Sequence, residues 1–122
     1  MMRFALCLSF LLGCTSDTTS CTGDACACTG SDACTHTCTS AGSCHVQGAA
    51  GPVDVTCDAS GDCHVECAEA VSCRVDCGGS LDCNVTCPAS GCTVTSCESG
   101  ACDVTCGLQG VASRNGTTAT CP

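Results

Sequence analysis

The chain has 122 residues, with twenty Cys, three Lys plus Arg, twelve Asp plus Glu and a formal net charge of −9. So acidic a surface cannot neutralise phosphates, which excludes nucleic acid as a partner, and anionic membrane surfaces repel it. Beyond residue 13 the sequence has no aromatic, Ile, Met or Lys, and its large apolar side chains are ten Val plus Leu81 and Leu108; a conventional core cannot be built from that set, so covalent staples must stand in for it.

The chain opens with Met1-Met2-Arg3, a short positive start, followed by an apolar run from Phe4 to Leu12. Nine residues are too few to span a bilayer, which takes about 20. They fit the apolar region of a signal peptide, expected over residues 1–13. The run ends in Leu11-Leu12-Gly13-Cys14, which resembles the lipobox of bacterial lipoproteins. That resemblance implies cleavage before Cys14 and a diacylglycerol on its thiol. The mature chain would then be held by lipid in the cell envelope, at the outer membrane or cell surface. The other reading is an ordinary secretory signal cut near Ser16, with Cys14 discarded or paired and the protein secreted. Residues 14–20 form the expected anchor and tether, since Thr-Ser-Asp-Thr-Thr-Ser is linker composition.

Residues 21–122 form one small Cys-rich domain. From Cys57 onward, Cys recur at 57, 63, 67, 73, 77, 83, 87, 92, 97, 102 and 106. The unit is a loop, a Cys, a polar-Val-polar triplet and a second Cys, with a period of about ten residues. The triplets include His45-Val46-Gln47, Asp54-Val55-Thr56, His64-Val65-Glu66, Arg74-Val75-Asp76 and Asn84-Val85-Thr86; Thr35-His36-Thr37 breaks the rule at its centre. In an extended segment Cys63, Val65 and Cys67 face one side, and His64 and Glu66 the other. The intervening stretches, such as Gly78-Gly-Ser-Leu-Asp82, are turn chemistry. Strand plus turn, repeated, predicts an all-β, disulfide-stapled β-solenoid with one coil of about ten residues per repeat.

The repeat also constrains the disulfides. Setting aside Cys7 and Cys14 leaves an even number of cysteines. Neighbours then pair across each loop: Cys21–Cys26, Cys28–Cys34, Cys38–Cys44, Cys57–Cys63, Cys67–Cys73, Cys77–Cys83, Cys87–Cys92, Cys97–Cys102 and Cys106–Cys121. One repeat supports this, because Gly48 and Val53 replace two cysteines that would be loop partners. Pairing across a triplet would strand Cys44 and Cys57. It would also span about 13 Å of strand, where a disulfide needs Cα atoms within about 7 Å.

The segment Cys28-Thr-Gly-Ser-Asp-Ala-Cys34 resembles a coil of the beetle antifreeze proteins, which are disulfide-stapled β-solenoids. Cys57 to Cys63 and Cys77 to Cys83 keep its Cys-x-x-Ser-x-x-Cys part. The ten-residue length is shared with midge antifreeze solenoids. The resemblance implies the same architecture and bridges within coils. The paired Thr of the beetle ice-binding ladder recur only at Thr37-Cys38-Thr39. As a whole the chain resembles Cys-rich repeat lipoproteins of bacteria such as myxobacteria, which implies a cell-surface location.

Catalytic chemistry is not expected, since no nucleophile motif, phosphate loop or aromatic-lined pocket is encoded. No cofactor is expected either. Of the three His, His36 occupies an inward triplet centre. His45 and His64 face outward, and with Asp54 between them and Glu66 alongside they form a candidate surface metal site. The bland alternative is a solvated polar face. The expected role is non-enzymatic: an extracytoplasmic structural or surface-interaction protein, attached to the membrane through lipid and carrying a surface whose ligand the sequence does not name. The two alternatives are a metallothionein-like metal binder and an ice-binding solenoid. Only Cys26-Ala27-Cys28 has the dense spacing that thiolate clusters use.

Overall fold

The computed structural model describes residues 20–22, 25–39, 42–58, 61–108 and 110–122. The expected signal peptide, Cys14 and the tether up to residue 19 lie outside the described residues. Those described contain strands and no helix. In chain order the strands are β1 (Ser20–Thr22), β2 (Ala25–Ala27), β3 (Cys34–Cys38), β4 (Ser43–Gln47), β5 (Pro52–Cys57) and β6 (Asp62–Glu66). Then follow β7 (Ser72–Asp76), β8 (Asp82–Thr86), β9 (Cys92–Thr95), β10 (Cys102–Thr105), β11 (Ser113–Asn115) and β12 (Thr118–Cys121).

Each polar-Val-polar triplet lies in a strand. Burial alternates along it, with Cys44 and Val46 buried in β4 and Ser43, His45 and Gln47 exposed. The strands build a β-solenoid from two six-stranded sheets, one in the order β1-β2-β4-β6-β8-β10 and the other β11-β12-β9-β7-β5-β3. Stacking is parallel and repeats like on like: Cys44 lies against Cys63 and Val46 against Val65, and the next step sets Cys83 and Val85 on those two. In the second sheet Val55, Val75 and Val94 form the matching column.

From β2 to β11 consecutive strands therefore alternate between sheets, and a full coil takes about twenty residues, two sequence repeats. This corrects the expected ten-residue coil. The corners supply the reason. Among the described residues, disulfides join Cys28–Cys34, Cys38–Cys44, Cys57–Cys63, Cys67–Cys73, Cys77–Cys83, Cys87–Cys92, Cys97–Cys102 and Cys106–Cys121, with Cα atoms 5.1–6.2 Å apart. Most of these bridges close one tight corner, so the next strand starts beside the end of the last. That point is about 13 Å from where the last strand began, given about 3.3 Å per residue. The new strand cannot stack in register on its predecessor. It must run back along the other sheet, and a second corner completes the coil.

The bridges fall into two columns, one at each edge where the sheets meet. Cys38–Cys44, Cys57–Cys63, Cys77–Cys83 and Cys97–Cys102 line the first. Cys28–Cys34, Cys67–Cys73, Cys87–Cys92 and Cys106–Cys121 line the second. Gly48 and Val53 occupy the vacant step of that second column, where Val53 stacks between Cys34 and Cys73. A Cβ on Gly48 would lie 3.1 Å from Val53 Cγ2, so the valine side chain reaches into the space beside the glycine. Cys26 is also disulfide-bonded, and it stands opposite Cys21 in the antiparallel β1–β2 pair.

The interior is a thin layer of Val and Cys. Val46, Val55, Val65, Val75 and Val94 are completely buried, as are Cys57, Cys67 and Cys97. Burial of a valine is worth about 1.5–3 kcal/mol, so the column of Val adds to what the bridges contribute. Both ends depart from the repeat. β1 is antiparallel to β2, and a β11–β12 hairpin lays β12 antiparallel on β9. These ends replace a parallel strand edge with another pairing, one of the ways a stacked sheet is terminated.

Candidate functional site

The outward side chains of each sheet stack into ladders, because parallel register puts equivalent residues one strand apart. In the first sheet His45, His64, Asn84 and Asp103 follow one another, and beside them Gln47, Glu66, Thr86 and Thr105. In the second sheet Thr35, Asp54, Arg74 and Thr93 form one ladder, and Thr37, Thr56, Asp76 and Thr95 its neighbour.

This placement divides the sequence-predicted metal site. His45 and His64 are direct neighbours, with ring centroids 4.7 Å apart and planes 20° from parallel. The His64 Nε2 and Glu66 Oε2 atoms are 2.8 Å apart, in a hydrogen-bonded and partly exposed pair. Asp54, however, belongs to the other sheet, between Thr35 and Arg74. The expected His45-Asp54-His64 column does not exist, because a coil of two repeats sends alternate repeats to opposite faces. The two stacked rings also suit a common ion poorly. A metal bond lies in the imidazole plane, and nearly parallel planes aim their nitrogens alongside one another rather than at one point.

The second sheet carries a shallow groove lined by Asp54, Thr56, Arg74, Asp76, Thr93 and Thr95. It is a mixed-charge strip between threonine rows. Its side chains project from regular strands, so their spacing is set by the sheet.

Inside the solenoid a different cluster comes together. His36 takes the place that Val55, Val75 and Val94 take in the coils that follow. Its Nε2 is buried with no hydrogen-bond partner. A ring nitrogen of His36 and the sulfurs of Cys38 and Cys44 all lie within 4.8 Å of one another. The sulfurs of Cys38, Cys57 and Cys63 are grouped as closely, as are those of Cys77, Cys83 and Cys102 and of Cys87, Cys92 and Cys121. Successive bridges in a column thus touch, with Cys77 and Cys102 sulfurs 3.6 Å apart. Sequence reasoning placed His36 inward without joining it to the cysteines. The signal was present: His36 and Cys38 are two residues apart on a strand and so share a face.

Comparison of the chain with protein-family models, with curated proteins and with solved structures finds no match in any of the three.

Proposed function

We propose that this is a non-enzymatic, lipid-anchored extracytoplasmic protein with a structural or surface-interaction role, of the Cys-rich repeat lipoprotein type. The observation that carries the reading is the pair of disulfide columns around a Val and Cys interior. Such a body is stiff, is stapled coil by coil, and needs an oxidising compartment to form. It presents flat polar ladders outward and keeps its buried layer for packing. Cys14 supplies the anchor and residues 15–19 the tether that holds the body off the membrane. Replacing the anchoring residue, Cys14→Ser, should move the protein from the membrane fraction to the soluble extracytoplasmic fraction. Retention of the variant in the membrane fraction would overturn the anchor.

The metallothionein-like alternative draws on the close sulfur groups along each column. Thiol titration and metal analysis of protein purified from its native compartment separate the two. Few free thiols and no stoichiometric metal are expected; many thiols with bound zinc or copper would replace our reading. An ice-binding face would lie on the second sheet, where Thr35 and Thr37 share one strand and Thr93 and Thr95 another. Asp54, Arg74 and Asp76 interrupt those rows, and an ice-recrystallisation assay is expected to show no inhibition.

A further inference from the structure

We infer that His36, Cys38 and Cys44 form a redox-gated site for a thiophilic divalent ion such as zinc, closed while Cys38–Cys44 is a disulfide and opened when that bridge is reduced. Three observations converge on it. The first is the unpartnered buried Nε2 of His36. Leaving a buried polar atom unsatisfied is unfavourable, and the Val of the later triplets in that column avoids it. The second is the common approach of one imidazole nitrogen and two sulfurs within 4.8 Å, a Cys₂His donor set of the kind zinc takes. The third is location. β3 is the terminal strand of its sheet, and end coils open locally at lower free energy than central ones. Among the described residues no other bridge has a histidine in such a group.

The chemistry balances with a dithiol as reductant. The dithiol closes to its cyclic disulfide and delivers two electrons and two protons, so the Cys38–Cys44 bond breaks to two thiols. The metal ion then displaces both thiol protons and takes a nitrogen lone pair from the His36 imidazole. Two thiolates bound at about 2.3 Å stand roughly 3.8 Å apart in tetrahedral geometry. The Cα separation of 6.0 Å across the bridge accommodates that with side-chain rotation alone. The two thiolates neutralise the ion, and the fourth position is left for water or an external ligand. With both freed sulfurs bound to the ion, neither is available to attack the Cys57–Cys63 bridge, whose sulfurs lie within 4.8 Å of Cys38.

The test uses the mature oxidised protein and a water-soluble tertiary phosphine, which takes oxygen from water as it reduces the bridge and competes little for metal. Graded reduction with and without zinc, followed by alkylation and mass mapping, reads which bridge opens. Zinc should lower the phosphine concentration that opens Cys38–Cys44 by about tenfold and leave the other bridges unchanged. Cobalt in place of zinc should give one equivalent per chain, with thiolate charge-transfer absorption. The variant His36→Val restores the residue of the later coils and keeps the oxidised fold. In it the cobalt affinity should fall at least tenfold. Equal cobalt binding in the variant and the parent would overturn the inference. So would a map in which zinc fails to favour this bridge, or in which freed Cys38 is found joined to Cys57 or Cys63. The zinc-dependent map needs only the unaltered protein, so the inference stays testable should the variant misfold.

Discussion

At Gly48 the chain has room for a hydrogen and nothing larger. A Cβ there would sit 2.8 Å from the Glu66 carbonyl oxygen and 3.1 Å from Val53 Cγ2. The same carbonyl accepts the Gly48 N–H at 2.8 Å, so the clash cannot be relieved without losing a bond between coils. Gly48→Ala should therefore destabilise the protein by about 1–3 kcal/mol, the usual cost of overpacking. A denaturant midpoint unchanged from the parent would show that the corner yields. Its partner Val53 is 2 % exposed, and its apolar bulk takes over a step of the column where neighbouring coils have sulfur. The sequence showed that two cysteines were lost together. That a valine methyl reaches toward the glycine became visible only in three dimensions.

At the scale of the strand and corner, each bridge is local but not isolated. The sulfurs of Cys77, Cys83 and Cys102 lie within 4.8 Å of one another. Removing a pair together, Cys77→Ser with Cys83→Ser, should cost about 2–4 kcal/mol, one ring constraint with some packing, and leave the other bridges in place. Removing Cys83 alone should do more harm. The freed Cys77 thiol then faces Cys102 at 3.6 Å, where exchange with the Cys97–Cys102 bridge is open to it. Non-reducing peptide mapping should find a Cys77–Cys102 link in the single variant and none in the double. A single variant as homogeneous and as stable as the double would refute this. The cause is the parallel register, which sets every bridge on the next one in its column.

For the whole molecule, stability behaves as a sum over coils and their contacts with neighbours, so the ends decide how far fraying reaches. At the C-terminal end Arg114 reaches from β11 to the last corner. Its guanidinium donates to the carbonyl oxygens of Cys102 at 2.8 Å and Cys97 at 3.2 Å. Arg114→Ala should cost about 1–2 kcal/mol, the value of hydrogen bonds from a charged donor in a partly exposed setting. Amide exchange should quicken around residues 97–105 and in β11 and β12 while β5 to β7 keep their protection. Uniform acceleration along the chain would contradict a one-dimensional array.

The sequence by itself determined the strands, the turns and the local character of the bridges, because these depend on alternation, turn residues and the reach of a few bonds. His64, Val65 and Glu66 announce their own faces without reference to any other part of the chain. The ten-residue period alone does not give the coil length: only the fold shows two repeats, about twenty residues, closing each turn. What only the tertiary structure decided is which repeats are neighbours. Both sheets are written in the same polar-Val-polar pattern, so nothing in the pattern tells an odd repeat from an even one. That assignment brought His45 onto His64, sent Asp54 to the opposite face, and set His36 in one column with Val55, Val75 and Val94.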